Sequence, residues 1–284
     1  WIKQQQKQFS DEQFSRIEAL REFYVHLIEV WYGGEAEQLQ MSEFMNHDDD
    51  NDLDQDIGFS GEGDYYGPHA TVNGGLSALI KPLIGHGEEI RLNEVVTKLN
   101  DAHDHVTIQT SSGLVLEADT VVVTIPLGAL NDGCSKGLFH PQLSEPKLEA
   151  LSKLRMGTYK KVMLEFDSIF WPQDEAFLGL VWRDSTSPLG PHLVVDNLWK
   201  GFPCFEVVLT GHSCLWANDR PDREIRDAVL QFLEYTMDES DLAQRCVKCH
   251  ITRWEEDPFS RGAYSTYGIG AEMTHSLALQ QSEW

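Results

Sequence analysis

Between Arg253 and Ser265 the chain turns through Pro258 and Gly262 and carries two large aromatics, Trp254 and Tyr264. Rings of that size in a turning segment either close a core or wall a pocket, and burial statistics alone favour the core. A second chemical candidate is the pair Lys160-Lys161, at the start of the apolar run Val162 to Phe166. In a strand the two lysines project to opposite faces, so one of them can leave solvent. Cys246-Val247-Lys248-Cys249-His250 has the spacing of a c-type haem attachment site. Its surroundings read as a strand, which offers no helix to present both thiols, so no covalent haem is expected. Asp52, Asp54 and Asp56 imitate a calcium loop, but Ile57 stands where the turn needs glycine and Gly63 where a bidentate glutamate is needed. No metal site is expected, and the acidic stretch 43–67 reads as a solvated loop.

The elements that must position these residues are legible from periodicity. Ser10 and Gln13 fit a capping box, and Phe14, Ile17, Tyr24, Leu27, Ile28 and Trp31 recur at helical spacing, predicting a core-facing helix from Asp11 to Tyr32 ended by Gly33-Gly34. Glu94 to Leu99, His105 to Thr110 and Leu114 to Glu117 alternate around the Ser112-Gly113 turn, which predicts a three-stranded meander. Asp119 to Leu130 is a β-branched apolar run stopped by Pro126 and reads as an inner strand buried on both faces. Short helices are predicted over Gly75 to Ile84, interrupted by Pro82, and over Glu145 to Leu154, with a third capped by Asp219. Strands are predicted over Val162 to Phe166, Leu178 to Trp182, His192 to Asp196 and Phe205 to Thr210. Another runs through Val247, Cys249 and Ile251 into the aromatic loop, and the stretch before Gln281-Ser282-Glu283-Trp284 is read as a loop that leads into a further strand. The fold class is mixed α/β (α+β), a mixed sheet with a helical cover.

Six segments in order resemble the flavin-containing amine oxidases, the family of polyamine oxidases, monoamine oxidases and lysine-specific histone demethylases. They are Gly74 to Ile80, Arg91 to Val96, Thr124 to Leu130, Gly157 to Phe166, Phe170-Trp171-Pro172 and Arg253 to Ser265. The resemblance implies an FAD-linked amine oxidase fold and oxidation of a C–N bond: hydride to FAD, hydrolysis of the imine, reoxidation by oxygen. It implies that Lys161 holds a water near the flavin, which leaves Lys160, on the opposite face of the strand, as the solvated lysine, and that Tyr264 forms one side of an aromatic sandwich; Lys161 and Tyr264 are the expected catalytic residues. Tyr159 and Tyr264 would line the substrate tunnel, and Val96, Thr124, Ile125, Pro126 and Trp254 would meet the cofactor. An apolar wall of rings suits this chemistry because it disfavours the ammonium form while a ring face tolerates a residual cation. Tyr159 leans the substrate toward polyamines, because histone demethylases tend to carry an aliphatic residue there. Asp54, Asp56, Glu62 and Asp64 would approach the substrate entrance. Leu76 departs from the aromatic that relatives often carry.

By the same resemblance, residues 1–90 form the helical segment and acidic loop of a substrate domain and 91–135 part of the FAD-binding domain. Residues 136–253 form the substrate-binding domain and 254–284 the active-site loop leading back to the FAD domain. No Gly-x-Gly-x-x-Gly fingerprint occurs, so the chain is expected to be the internal part of a longer oxidase and inactive by itself. The rivals are a histone lysine demethylase and a catalytically silent relative that binds a partner. With 22 basic and 46 acidic residues the formal charge is −24, which disfavours nucleic acid and suits a small cationic amine. Five cysteines make no disulfide framework, so an intracellular, cytoplasmic setting is expected, and no apolar run is long enough to span a membrane.

Overall fold

The computed structural model describes residues 9–40, 72, 74–84, 89–182 and 186–283. The acidic stretch 43–67, with its calcium-loop imitation and the carboxylates Asp54, Asp56, Glu62 and Asp64, lies outside the described residues. In chain order the elements are α1 (Asp11–Tyr32), α2 (Ser77–Leu83), β1 (Val96–Asp101), β2 (Val106–Thr110), β3 (Val115–Ala118), α3 (Leu127–Ser135), β4 (Phe139–His140), α4 (Glu145–Lys153), β5 (Leu154–Met156), β6 (Tyr159–Phe166), β7 (Phe177–Val181), β8 (His192–Asp196), β9 (Cys204–Thr210), α5 (Gly211–Ala217), α6 (Asp222–Met237), α7 (Leu242–Arg245), β10 (Cys246–Ile251), β11 (Ser265–Tyr267) and α8 (Met273–Gln280). They fall into two compact units, one of residues 1–40 and 154–270, the other of residues 41–153 and 271–284. The chain crosses between them after residues 40, 153 and 270, whereas the division read from sequence changes at 90, 135 and 253.

In the first unit five strands form a sheet in the order β10-β6-β9-β8-β7, and every pair is antiparallel. One face carries Val162, Leu164 and Phe166 from β6 with Phe205, Val207 and Leu209 from β9, and α6 covers it with Ile225, Val229, Phe232 and Leu233. Cys246 and Cys249 pack against this same core from β10. Helix α6 begins after Pro221, whose fixed φ suits the cap position. Asp219, expected as the cap, sits earlier in the left-handed region at φ 62°, a conformation aspartate tolerates. The Phe170-Trp171-Pro172 motif packs Trp171 edge-on to Phe205 at 4.5 Å. Its indole Nε1 donates to Asn197 Oδ1 at 2.9 Å, and Asn197 Nδ2 donates to the carbonyls of Pro172 and Glu175. That motif therefore tethers the end of β8.

Helix α1 lies on the other face. Ser10 and Gln13 cap each other reciprocally, and Gly33 closes the helix at φ 65°. The buried side differs from the expected aromatic stripe: Leu27 packs with Val194 and Val208, flanked by Phe23 and Val30, while Tyr24 is 54% and Trp31 42% exposed. The strand surface decides which side is buried. Gly179 of β7 leaves a slot for Phe23, whose Cζ lies 2.3 Å from where a Cβ at position 179 would stand.

In the second unit the meander is present as predicted, β3-β2-β1 antiparallel, with β4 added parallel to β1. Thr110 and Ser112 hydroxyls both donate to Glu94 Oε2 and lock the turn. Helix α8 packs on α4, where Lys147 Nζ donates to the Gln281 carbonyl at 2.5 Å; the stretch before Gln281, expected from sequence as a loop, is this helix. The inner strand expected over Asp119 to Leu130 is also absent. Val121–Ile125 makes no backbone hydrogen bond to another described residue, and Val122 is 81% exposed. A strand buried on both faces needs ladder neighbours, and the four-stranded sheet supplies none to this segment. From Leu127 the run is helical.

Lys160 overturns its sequence reading. It shares a face with Val162, Leu164 and Phe166, is 0% exposed, and donates from Nζ to Glu255 Oε2 at 2.5 Å. Cys214 Sγ donates to the other oxygen of Glu255 at 3.2 Å. The cause is parity: β6 lies between β10 and β9, so a residue two before Val162 must enter the core. A buried ammonium persists only when paired. Lys160→Met is expected to destabilise the chain by about 3–5 kcal/mol by stranding the Glu255 charge, and Lys160→Met with Glu255→Leu to recover most of that loss. Urea unfolding of both variants checks this, and a single variant within about 1 kcal/mol of the parent would contradict the buried pair.

Candidate functional site

The opposite parity of β6 builds the site. Tyr159, Lys161 and Met163 share the face away from the α6 core, because β6 alternates and Val162 and Leu164 are buried in that core. Lys161 is held at the backbone: its N–H donates to Thr252 Oγ1 at 2.9 Å and its carbonyl accepts from Thr252 N–H at 3.0 Å. Its side chain, 39% exposed, donates from Nζ to Glu206 Oε1 at 2.5 Å. Glu206 is 2% exposed, and the β8–β9 register sets Asp196 directly opposite it. Burial, then the hydrogen bond and charge of Glu206, push the Asp196 carboxyl up to about 7, against the pull of Lys161.

Tyr159 and Tyr264 meet at a ring-centroid distance of 5.6 Å with planes tilted by 57°. Burial raises both phenols well above the ordinary tyrosine value, and for Tyr159 the charges of Asp196 and Glu206 add to the effect, so both are neutral hydroxyls across the physiological range. Tyr264 is placed from three directions. Its hydroxyl donates to the carbonyl of Val30 at 2.9 Å, its carbonyl accepts from Gly157 N–H at 2.6 Å, and its ring lies over Gly33, where a Cβ would stand 2.6 Å from Cζ. Gly157 is required for the same reason, since a Cβ there would meet the Gly33 carbonyl oxygen at 2.6 Å. Glycines at positions 33 and 157 let the end of α1, the start of β6 and the aromatic loop approach one another.

Trp254 opens that loop and is 41% exposed. The carbonyl of Trp254 accepts from Gly262 N–H, and Glu255, the next residue, is pinned by Lys160. Arg253 ties the loop to α6 through Asp222 at 2.5 Å and to Glu256 at 2.9 Å. Tyr159, Lys161 and Tyr264 are thus brought together, and Trp254 shares their unit. Val96, Thr124, Ile125 and Pro126 belong to the other unit: Val96 starts β1 beside a bulge, and Thr124 to Pro126 lead into α3. The sequence reading missed Asp196 and Glu206. Their signal was present, as an acid that ends the apolar run Leu193 to Val195 and one that interrupts the run Phe205 to Leu209.

These residues suit the flavin that the resemblance implies. In the first unit Trp254 offers an exposed flat ring and Lys161 a half-exposed cation; in the second, taken by itself, the Val121–Ile125 backbone makes no hydrogen bond to another described residue. Among the described residues no cluster of three His, Cys, Asp or Glu has the arrangement to hold a metal ion, and no helix is long and apolar enough to cross a membrane.

Comparison with known proteins gives one family. The family of flavin containing amine oxidoreductases matches residues 1–283. The chain is 30% identical over 220 residues to lysine-specific histone demethylase 1 homolog 3 of Arabidopsis thaliana, covering 74% of this chain and 13% of that protein. It is 30% identical over 269 residues to polyamine oxidase 2 of the same plant, covering 92% of this chain and 49% of the relative. Among solved structures, a putrescine oxidase double mutant redesigned in cofactor binding is similar in fold, with a TM-score of 0.55 at 15% identity over 69% of this chain and 42% of that one. The chain therefore spans at most about half the length of these relatives. With a mixed helix-and-sheet fold and a family match running over nearly its whole length, this chain belongs to the flavin containing amine oxidoreductases.

Proposed function

We propose that this chain forms the substrate side of an FAD-dependent amine oxidase acting on a polyamine. The observation that carries the reading is the neutral Tyr159–Tyr264 pair two residues along β6 from the Lys161 ammonium. When bound, FAD supplies the hydride acceptor for the C–N bond. Everything else falls to the chain's own residues. Tyr264 and Tyr159 wall the amine in, displace water, and disfavour its charged form, so that the nitrogen lone pair is free to assist. Lys161 directs a cation toward the same face and holds a water there. Trp254 packs near the flavin ring, with Val96, Thr124, Ile125 and Pro126 as further cofactor contacts. The unit of residues 1–40 and 154–270 supplies the substrate residues, and the other unit supplies part of the FAD domain. Polyamine oxidases among the relatives and the formal charge of −24 both favour a polycationic substrate.

The test uses the intact gene product. Anaerobic spermine is expected to bleach its visible flavin band. A band that spermine leaves untouched while a methylated lysine peptide bleaches it would move the reading to a demethylase, and absence of any flavin band would overturn the enzyme reading in favour of a binding protein. Lys161→Met is expected to slow reoxidation of the reduced flavin by oxygen more than its reduction by substrate. Stopped-flow absorbance that shows equal slowing of both half-reactions would contradict the role given to Lys161.

A further inference from the structure

Glu206 and Asp196 are unexpected tenants of a sheet. Both lie in the middle strands, Glu206 at 2% and Asp196 at 9% exposure, on the face that carries Tyr159 and Lys161. Registers fix this arrangement: Met163 stands opposite Glu206, Lys161 opposite Val208, and Asp196 opposite Glu206. Directly opposed residues of antiparallel strands have Cβ atoms about 4.5–5.5 Å apart. One ammonium, Lys161 Nζ, pairs with Glu206 and exerts its charge on Asp196 as well. Two carboxylates this close in a poorly solvated setting do not both ionise at their ordinary values, and one of them keeps its proton to higher pH.

We propose that Asp196 and Glu206 hold one proton between them and together position the Lys161 ammonium, which makes Asp196 a positioning residue acting through Glu206. The proton resides on Asp196, whose carboxyl is pushed up to about 7 chiefly by burial and then by Glu206. In that state the Glu206 carboxylate accepts from Lys161 on one side and from the Asp196 hydroxyl on the other, so it is oriented from both ends. Loss of the proton leaves two carboxylates beside one ammonium and changes the charge of this face by one near neutral pH.

The groups around Asp196 leave this assignment standing. β9 contributes Glu206, and β6 contributes Lys161 and Tyr159, the latter a phenol raised well above its ordinary range. β7 sets Phe177 opposite it. The titratable residues of α1 that approach β8, His26 and Glu29, act on His192, at the far end of that strand, and burial there lowers the His192 imidazole so that it stays neutral near pH 7. The sign for stability follows. The folded chain keeps a proton between pH 3.8 and about 7 that the unfolded chain gives up, so this group's contribution to stability is lost as pH rises through that window.

The connection to flavin reoxidation rests on the reading of Lys161 given above, whereas the carboxyl pair is tested on this chain without flavin. Carboxyl carbons of 13C-aspartate-labelled protein are followed by NMR from pH 4 to 9, with Asp196→Asn assigning the resonance. The expected result is an Asp196 midpoint near 7, with the 15N resonance of Lys161 Nζ moving at the same midpoint and losing that step in Asp196→Asn. An Asp196 midpoint below about 5, or a Lys161 signal indifferent to the titration, overturns the proposal. In the intact gene product, the pH profile of flavin reoxidation is expected to lose its step near 7 in Asp196→Asn and keep it in Asp196→Glu. If the NMR result holds but the profile is the same in all three proteins, the pair stands and the reoxidation role of Lys161 fails.

Discussion

The two-residue period of a strand that lies inside a sheet governs this molecule. β6 is bounded by β10 and β9, and helices cover both of its faces, so none of its side chains chooses its side freely. Val162, Leu164 and Phe166 commit one parity to the α6 core. Lys160 must follow them, and Tyr159 and Lys161 must take the other face. Adjacent lysines are thereby driven into different chemistry. Lys160 becomes a buried anchor for Glu255 and so for the loop that carries Trp254 and Tyr264. Lys161 becomes a half-exposed cation held by Glu206. A one-residue slip of register would exchange the two roles and bury the wrong ammonium without its carboxylate.

Around that strand, close backbone approach does the rest of the positioning. The left-handed end of α1 at Gly33, the side-chain-free Gly157 and the turn at Gly262 let three segments converge on Tyr264. At Gly262 a Cβ would stand 2.4 Å from that of Met156. Tyr264 is consequently fixed by hydrogen bonds and steric contacts to backbone. Such a wall keeps its shape while the groups beside it change protonation. The acids Asp196 and Glu206 sit on that same face, which puts an opposed, buried carboxyl pair on the face that carries Tyr159.

Local signals were readable and long-range ones less so. The Ser10–Gln13 capping box, the Gly33 stop and the Ser112-Gly113 turn are contacts within a few residues, and each appears in the structure. The expected inner strand failed because an apolar β-branched run records a preference for burial, whereas a strand needs a partner, and Val121–Ile125 has none among the described residues. The buried side of α1 was misassigned because Gly179, far along the chain, decides which ring finds a slot. Lys160 was legible in principle, since counting back by two from Val162 places it in the core; residue type was allowed to outweigh parity. Asp196 and Glu206 become a pair only through the β8–β9 register, a long-range contact that neither strand's own sequence records.

The parity of β6 can be read chemically, because the two lysines are neighbours in sequence and differ in solvent access by the whole thickness of the sheet. Brief acylation of the folded chain at neutral pH with an amine-reactive ester, followed by site-resolved mass spectrometry, compares them within a single peptide. The account predicts modification at Lys161, with Lys160 protected until the chain is unfolded. Lys160 reacting as fast as Lys161 in the folded protein would contradict it.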